Sequence, residues 1–71
     1  MVEMHFVDST NVEQIGYDSA ASELHIRFVG KSELYVYLNV PEPIFQELMA
    51  APSKGSYLNR QIKNVFQFEK R

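Results

Sequence analysis

The sequence has no cysteine and no tryptophan, and its 71 residues include only three glycines and three prolines. Without cysteine, neither a disulfide nor a thiolate-bound zinc ion can support the fold, so an apolar core must stabilise it. A chain of this length buries only about 60% of its unfolded surface, which keeps that core small. Four tyrosines, five phenylalanines and a hydrophobic share of 45% are enough for one core. We therefore expect residues 1–71 to form a single domain.

Long apolar runs are also missing. No run approaches the ~20 residues that a membrane-spanning helix requires. The first ten residues, MVEMHFVDST, are acidic overall and lack the apolar segment of a signal peptide. These absences predict a cytoplasmic protein without membrane association.

The motifs of common enzymes and metal sites are absent. His5 and His25 have no cysteine or carboxylate at a spacing typical of metal ligands, so we predict no metal site. The segment PSKGSY does not have the spacing of a phosphate-binding P-loop, and no spacing around Asp8 and Ser9 indicates a catalytic triad. A chain this small does not readily enclose a deep pocket. We therefore expect a non-enzymatic protein that uses no cofactor.

The charge is small but unevenly distributed. The net charge of −2 argues against a protein whose main role is to bind polyanions. Residues 1–53 carry eight acidic residues against Arg27 and Lys31, whereas residues 54–71 carry five basic residues against Glu69 alone. The basic end can be an anion-facing surface or a solvated helix face followed by a basic tail, and the sequence leaves both interpretations open.

Alternating apolar residues predict three β-strands in the first part of the chain. The segments are VEQIGYD (residues 12–18), ELHIRFV (23–29) and ELYVYLNV (33–40). Turn-forming residues separate them, as in DSAAS and GKS, which favours an antiparallel meander.

The hydrophobic period then changes to that of helices. Pro41 and Pro43 suit the first turn of one helix, which Pro52 ends, and Ser53 is a good N-cap for a second helix over residues 54–65. The last segment, VFQFE, alternates weakly and favours a short strand. The predicted class is α+β, a small antiparallel meander with both helices packed on one face.

Two candidate sites follow from this arrangement. Tyr35 and Tyr37 share one face of the third strand, and Arg27 on the neighbouring strand can border them. If the tyrosines face solvent, they can stack on nucleobases. If they face the helices, they belong to the core with their hydroxyls at its rim. The sequence favours packing, because tyrosine is an ordinary strand residue.

The second candidate is the start of the second helix, formed by Ser53, Lys54, Gly55 and Ser56. Free N–H groups and the helix dipole can bind an anion there. The alternative is a plain helix cap whose glycine allows close contact with the other helix. Asn59, further along this helix, is expected to hydrogen-bond backbone across the turn between the helices.

Several of these segments together resemble the KTSC domain family. The matching runs are IGYD, Leu24-x-Ile-x-Phe28, Tyr-Val-Tyr followed by Asn-Val-Pro, and SKGSYLNRQIK from Ser53 to Lys63. The family takes its name from a domain at the C-terminus of some lysyl-tRNA synthetases, and it also includes short single-domain proteins of bacteria and phages. The synthetase association implies RNA, either tRNA or single-stranded RNA, as a ligand.

Two functions are therefore expected from the sequence. The first is weak nucleic-acid binding, with Tyr35 and Tyr37 stacking on bases and Lys54, Arg60 and Lys63 contacting phosphates. The second is a protein–protein interaction module without a nucleic-acid role, which receives its partner on the acidic surface or an open sheet edge.

Overall fold

A computed structural model describes residues 2–71 of the chain. Its elements are β1 (Met4–Phe6), β2 (Val12–Asp18), β3 (Glu23–Phe28), β4 (Leu34–Tyr37), α1 (Glu42–Ala50), α2 (Lys54–Gln61) and β5 (Phe68–Lys70). The strands form one sheet in the order β1-β2-β3-β4-β5, and every neighbouring pair is antiparallel. The predicted α+β class is confirmed. Within residues 2–71, no helix has the length and apolar character needed to cross a bilayer.

The three predicted strands form the middle of the sheet, and one further short strand extends it at each edge, β1 beside β2 and β5 beside β4. The sequence did not indicate β1, because three residues are too few to show a period and the strand is defined by its pairing with β2. The predicted C-terminal strand exists but lies at Phe68–Lys70. Helix α2 ends at Gln61, four residues before the predicted end, because Ile62 leaves helical geometry with φ −124°.

The helices cover the face of the sheet that carries the tyrosines. Tyr35 pairs with Ile26 and Tyr37 with Leu24, so these four side chains share one face. Tyr37 is only 2% exposed. Both tyrosines therefore point toward the helices. The core combines this face with residues of both helices and the intervening loop: Val12, Ile15, Leu24, Ile26, Tyr37, Val40, Leu48, Leu58 and Ile62.

Helix α1 packs over the β2 side of the sheet. The ring of Phe45 stacks on that of Tyr17 with centroids 5.2 Å apart, and the Tyr17 hydroxyl donates a 2.6 Å hydrogen bond to the carbonyl of Val40. Helix α2 is tied to α1 by a 2.7 Å hydrogen bond from the Tyr57 hydroxyl to Glu47. Residues of α2 and of strands β4 and β5 line a common cavity on this face of the sheet.

The other face of the sheet has no helix, yet parts of it are buried. Val36 is fully buried, and His25, its neighbour on β3, is 7% exposed. His25 Nε2 lies 3.2 Å from a carboxylate oxygen of Glu23, which also accepts hydrogen bonds from Arg71. Arg27 lies on this face and donates to the carbonyl of Ser32 at 2.9 Å.

Candidate ligand-binding cleft

A cleft of about 620 Å³ opens between α2 and strands β3, β4 and β5. It is lined by Thr10, Asn11, Val12, Phe28, Val29, Lys31, Tyr35, Tyr37, Gly55, Leu58, Asn59, Lys63, Asn64 and Phe68, and we call it the aromatic cleft. Its volume falls within the range of about 300–1,000 Å³ that is usual for small-molecule sites. Within residues 2–71, no group of three metal-ligating side chains is found.

Four aromatic rings form the sheet side of the cleft. The ring of Tyr35 meets Phe28 edge to face with centroids 5.0 Å apart, and it stacks on Phe68 at 5.5 Å with planes 23° apart. Phe68 also lies against Tyr37 at 5.4 Å. These contacts hold the rings in a fixed array, because offset and edge-to-face aromatic pairs are the favoured geometries. Phe68 remains 47% exposed, so part of the array is open to a ligand.

Strand β5 brings Phe68 to this position. In its pairing with β4, Phe68 lies opposite Tyr37. Two backbone hydrogen bonds between Leu34 and Arg71 extend this pairing by one residue pair. Arg71 also binds both carboxylate oxygens of Glu23 at 3.1 and 3.3 Å. The hydrogen bonds from Arg71, and next those with His25, lower the pKa of the Glu23 carboxyl.

The charged residues of the cleft lining are both lysines. Lys31 lies in the turn after β3, where its N–H donates to the carbonyl of Phe28 and Gly30 adopts φ +77°. Lys63 follows α2, and its N–H donates to the carbonyl of Leu58. Lys70 adds a third ammonium group, 5.4 Å from the centroid of the Tyr35 ring. No acidic residue of the described chain lines the cleft, so the charged side chains of its lining are all positive, as an anionic ligand requires.

Besides the tyrosine hydroxyls, the neutral polar groups of the lining are three carboxamides and one hydroxyl, from Asn11, Asn59, Asn64 and Thr10. The backbone carbonyl of Asn11 accepts a 2.9 Å hydrogen bond from the N–H of Val29, which fixes the position of this residue. Its side chain passes close to α2 at Gly55, where an added Cβ would lie 3.1 Å from the Asn11 Nδ2 atom. The nearest neighbour of a side chain at Gly55 is thus a polar group of the cleft.

The predicted site residues divide into two groups. Tyr35, Tyr37 and Lys63 come together in the aromatic cleft, and Gly55 lines it as well. Arg60 is exposed on α2 but does not line the cleft. Arg27 lies on the opposite face of the sheet, because strand residues alternate and its neighbours Ile26 and Phe28 face the helices.

The start of α2 has side-chain contacts of its own. The Ser53 hydroxyl accepts from the N–H of Ser56 at 3.2 Å, which is an ordinary N-cap. Lys54 donates from Nζ to the carbonyl of Ala51 at 2.7 Å, so its ammonium group binds the end of α1. The predicted hydrogen bond from Asn59 to interhelical backbone does not form among residues 2–71, and its side chain lies at the cleft.

Sequence reasoning missed several cleft residues. Phe28 could have been found, since it alternates with Leu24 and Ile26 on the face that pairs with the tyrosines. Phe68 required knowledge that β5 pairs with β4. Lys31 and Asn11 lie in loops, where no period indicates the direction of a side chain.

Burial, and then the neighbouring Tyr35, raises the pKa of the Tyr37 hydroxyl. This tyrosine therefore stays protonated at neutral pH, and its hydroxyl is a neutral hydrogen-bonding group in the cleft lining.

This chain is similar to known proteins in both sequence and structure. The family model described as KTSC domain matches residues 8–66. A protein of Tsukamurella paurometabola is 39% identical over 64 residues, which cover 90% of this chain and 94% of that protein. The crystal structure of a KTSC domain protein from Yersinia pestis has a TM-score of 0.95 and 35% identity, covering 100% of this chain and 99% of the other.

Longer proteins match as well. Lysine–tRNA ligase of Nostoc punctiforme is 38% identical over 58 residues, which cover 82% of this chain but only 10% of the ligase. The ligase of Trichormus variabilis gives 36% identity over the same length and the same shares. The chain thus spans about a tenth of the length of these ligases.

Proposed function

Since the chain belongs to the KTSC domain family, we propose that it is a non-enzymatic module that binds single-stranded RNA weakly through the aromatic cleft. The observation that carries this proposal is the array of Phe28, Tyr35 and Phe68 beside Lys31 and Lys63, with no acidic residue among the described residues of the lining. Lysine–tRNA ligases, whose name points to tRNA, contain a similar segment, which supports RNA as the ligand class.

Aromatic stacking and lysine contacts supply different parts of the affinity. A base stacked on an aromatic side chain contributes about 1–3 kcal/mol and does so for every base type. Lys31, Lys63 and Lys70 can neutralise about three phosphates, which sets a salt slope near −2 for a single strand and a Kd of about 10⁻⁴–10⁻⁶ M. The overall charge of −2 adds no attraction, so binding depends on this local cluster.

The experiment is an NMR titration of the ¹⁵N-labelled chain with a single-stranded RNA at several salt concentrations. We expect salt-dependent shifts at the cleft residues, with Lys63→Gln weakening binding and reducing the salt slope by about 0.7. Arg60→Gln is the matched control, because this cation is exposed on α2 outside the cleft. Equal loss in both variants, or no shift in the cleft with any RNA, would contradict the proposal.

One observation favours a protein-interaction function instead. Strand β1 is an edge strand of the sheet, and its Phe6 is 77% exposed. An extended segment of a partner can pair with such an edge and cover this ring. Under this alternative, the immobilised chain should retain a partner protein even after nuclease treatment. The Phe6→Asp variant should no longer retain that partner, whereas the Lys63→Gln variant should still retain it.

A further inference from the structure

We propose that the aromatic cleft holds a single unpaired nucleotide, stacks its base on the aromatic array and recognises the edge of that base through asparagine side chains. The inference rests on the proposed function and deepens it, because it makes a nucleoside 5′-monophosphate the smallest complete ligand. A site of this kind differs from a groove that contacts only the sugar-phosphate backbone of a nucleic acid.

The shape of the cleft supports one inserted base. The aromatic rings lie between the sheet and α2, and Tyr37 at the bottom is only 2% exposed. A base inside a duplex has neighbours on both of its faces and its pairing edge occupied, so it cannot reach these rings. A volume of about 620 Å³ accommodates a nucleotide but not an extended strand.

The neutral polar groups supply the means to recognise the base. Each carboxamide of Asn11, Asn59 and Asn64 offers two N–H donors and one acceptor oxygen. None of the side-chain hydrogen bonds found within residues 2–71 uses one of these three carboxamides, and all three residues are exposed, so a ligand can reach their donors and acceptors. Amides match the mixed donor and acceptor pattern of base edges, whereas the lysines match only the phosphate.

The two lysines of the lining favour a ligand with one anionic group. Lys31 and Lys63 come from different segments, and no carboxylate of the described lining competes with a phosphate for them. A nucleoside without phosphate loses this contact, and inorganic phosphate loses the stacking. Each half of the ligand is therefore expected to bind at least about tenfold more weakly than the whole.

Gly55 allows a variant that disturbs the Asn11 amide, with no ring or lysine among the nearest neighbours of the added methyl group. In Gly55→Ala the new methyl group would lie 3.1 Å from Asn11 Nδ2, the movable end of a side chain, so the amide must shift by a few tenths of an ångström. Alanine is the better helix former, so the fold is retained. Binding is expected to weaken and base preference to fall, while thermal stability does not decrease.

The experiment titrates the ¹⁵N-labelled chain with the four nucleoside 5′-monophosphates, the four nucleosides, inorganic phosphate and an eight-nucleotide single-stranded RNA. We expect saturable shifts at Tyr35, Asn59 and Lys63 with the monophosphates, and about a fivefold or larger difference between the best and worst base. Gly55→Ala and Asn59→Ala should reduce that difference. Arg60→Gln is the control and should leave it unchanged.

The outcomes separate this inference from the function on which it rests. If the RNA binds with salt-dependent shifts but no monophosphate shifts the cleft residues, the single-nucleotide site is wrong and the RNA-binding function stands. If neither binds, both fail. Identical shifts with phosphate and with every monophosphate would overturn base recognition, because only the lysines would then be engaged.

Discussion

Gly16 of β2 allows the N-terminal segment and β1 to pack closely against it. It lies in β2 on the face without helices, opposite Met4 of β1. A Cβ built there would lie 2.5 Å from the Met4 sulfur, 2.7 Å from the carbonyl oxygen of Glu3 and 2.8 Å from a methyl carbon of Val2. The N-terminal segment can cross the sheet at this point only because glycine has no side chain.

We predict that Gly16→Ala destabilises the protein by about 1–3 kcal/mol, since backbone as well as side chains must move to admit the methyl group. Gly55→Ala is the matched control, with the same chemical change beside a movable amide, and it should be neutral or stabilise by up to about 1 kcal/mol. Urea unfolding at pH 7 measures both. Equal effects in the two variants would show that close contact at Gly16 is not the cause.

At the scale of an element, strand β5 depends on Glu23 of β3. None of its three residues is buried, and Arg71 just beyond it binds Glu23 and Glu69. The lowered pKa of Glu23 means that the folded state favours the carboxylate. This stabilisation is complete above about pH 5 and is lost as the pH falls through the lowered pKa.

We therefore predict that acid loosens β5 before the rest of the sheet. The aromatic proton shifts of Phe68, which depend on the rings of Tyr35 and Tyr37, should move toward random-coil values as the pH falls below about 4. Glu23→Gln should show loosened β5 already at pH 7. Glu33→Gln, which removes an exposed carboxylate in the loop between β3 and β4, should behave as the unsubstituted protein. A Phe68 spectrum that does not change with pH would contradict the prediction.

The elements also show what the sequence could predict. Strand β2 was located with its exact bounds, because its alternating residues face two different environments. Strand β3 was predicted one residue too long, and the capping serine located the start of α2. Strands β1 and β5 are three residues each and are defined by their partners, so local patterns carry little information about them. The early end of α2 depends on the turn from Ile62 to Phe66, which returns the chain to the sheet.

The sequence offered two alternatives for Tyr35 and Tyr37, stacking on a ligand or packing in the core, and the structure combines features of both. Tyr37 is buried, as packing requires, while Tyr35 on the same face lines an open cleft. The two helices do not cover their side of the sheet completely. Tyr35, Tyr37 and Lys63, which the sequence proposes as one binding surface, line the same cleft. Lys31 and Phe68 become neighbours of the tyrosines only through the tertiary arrangement of loops and β5.

At the scale of the whole molecule, the bond between Tyr57 and Glu47 links the two helices that cover the core. Burial, and then this hydrogen bond, raises the pKa of Tyr57 to about 12. A tyrosine with a raised pKa stabilises the fold fully below its ordinary pKa near 10, and this contribution is lost as the pH rises toward 12.

We predict that Tyr57→Phe lowers the free energy of unfolding by about 0.5–1 kcal/mol at pH 7, because a hydrogen bond to a charged acceptor is removed with little change in volume. Between pH 10 and 11.5 the original chain should lose stability more steeply than the variant. Unfolding by urea at several pH values measures both. Parallel decline of the two chains would show that Tyr57 does not titrate as the structure indicates.

The order of the sheet has a consequence for folding kinetics. Strands β1, β2 and β3 each pair with the strand that follows them after a short loop, so these three hairpins can form early. The pairing of β4 with β5 must instead wait until about thirty intervening residues, including both helices, have been brought into place. We therefore expect the aromatic cleft to be completed late in folding, and its β5 wall to be the first part to open when the native state fluctuates.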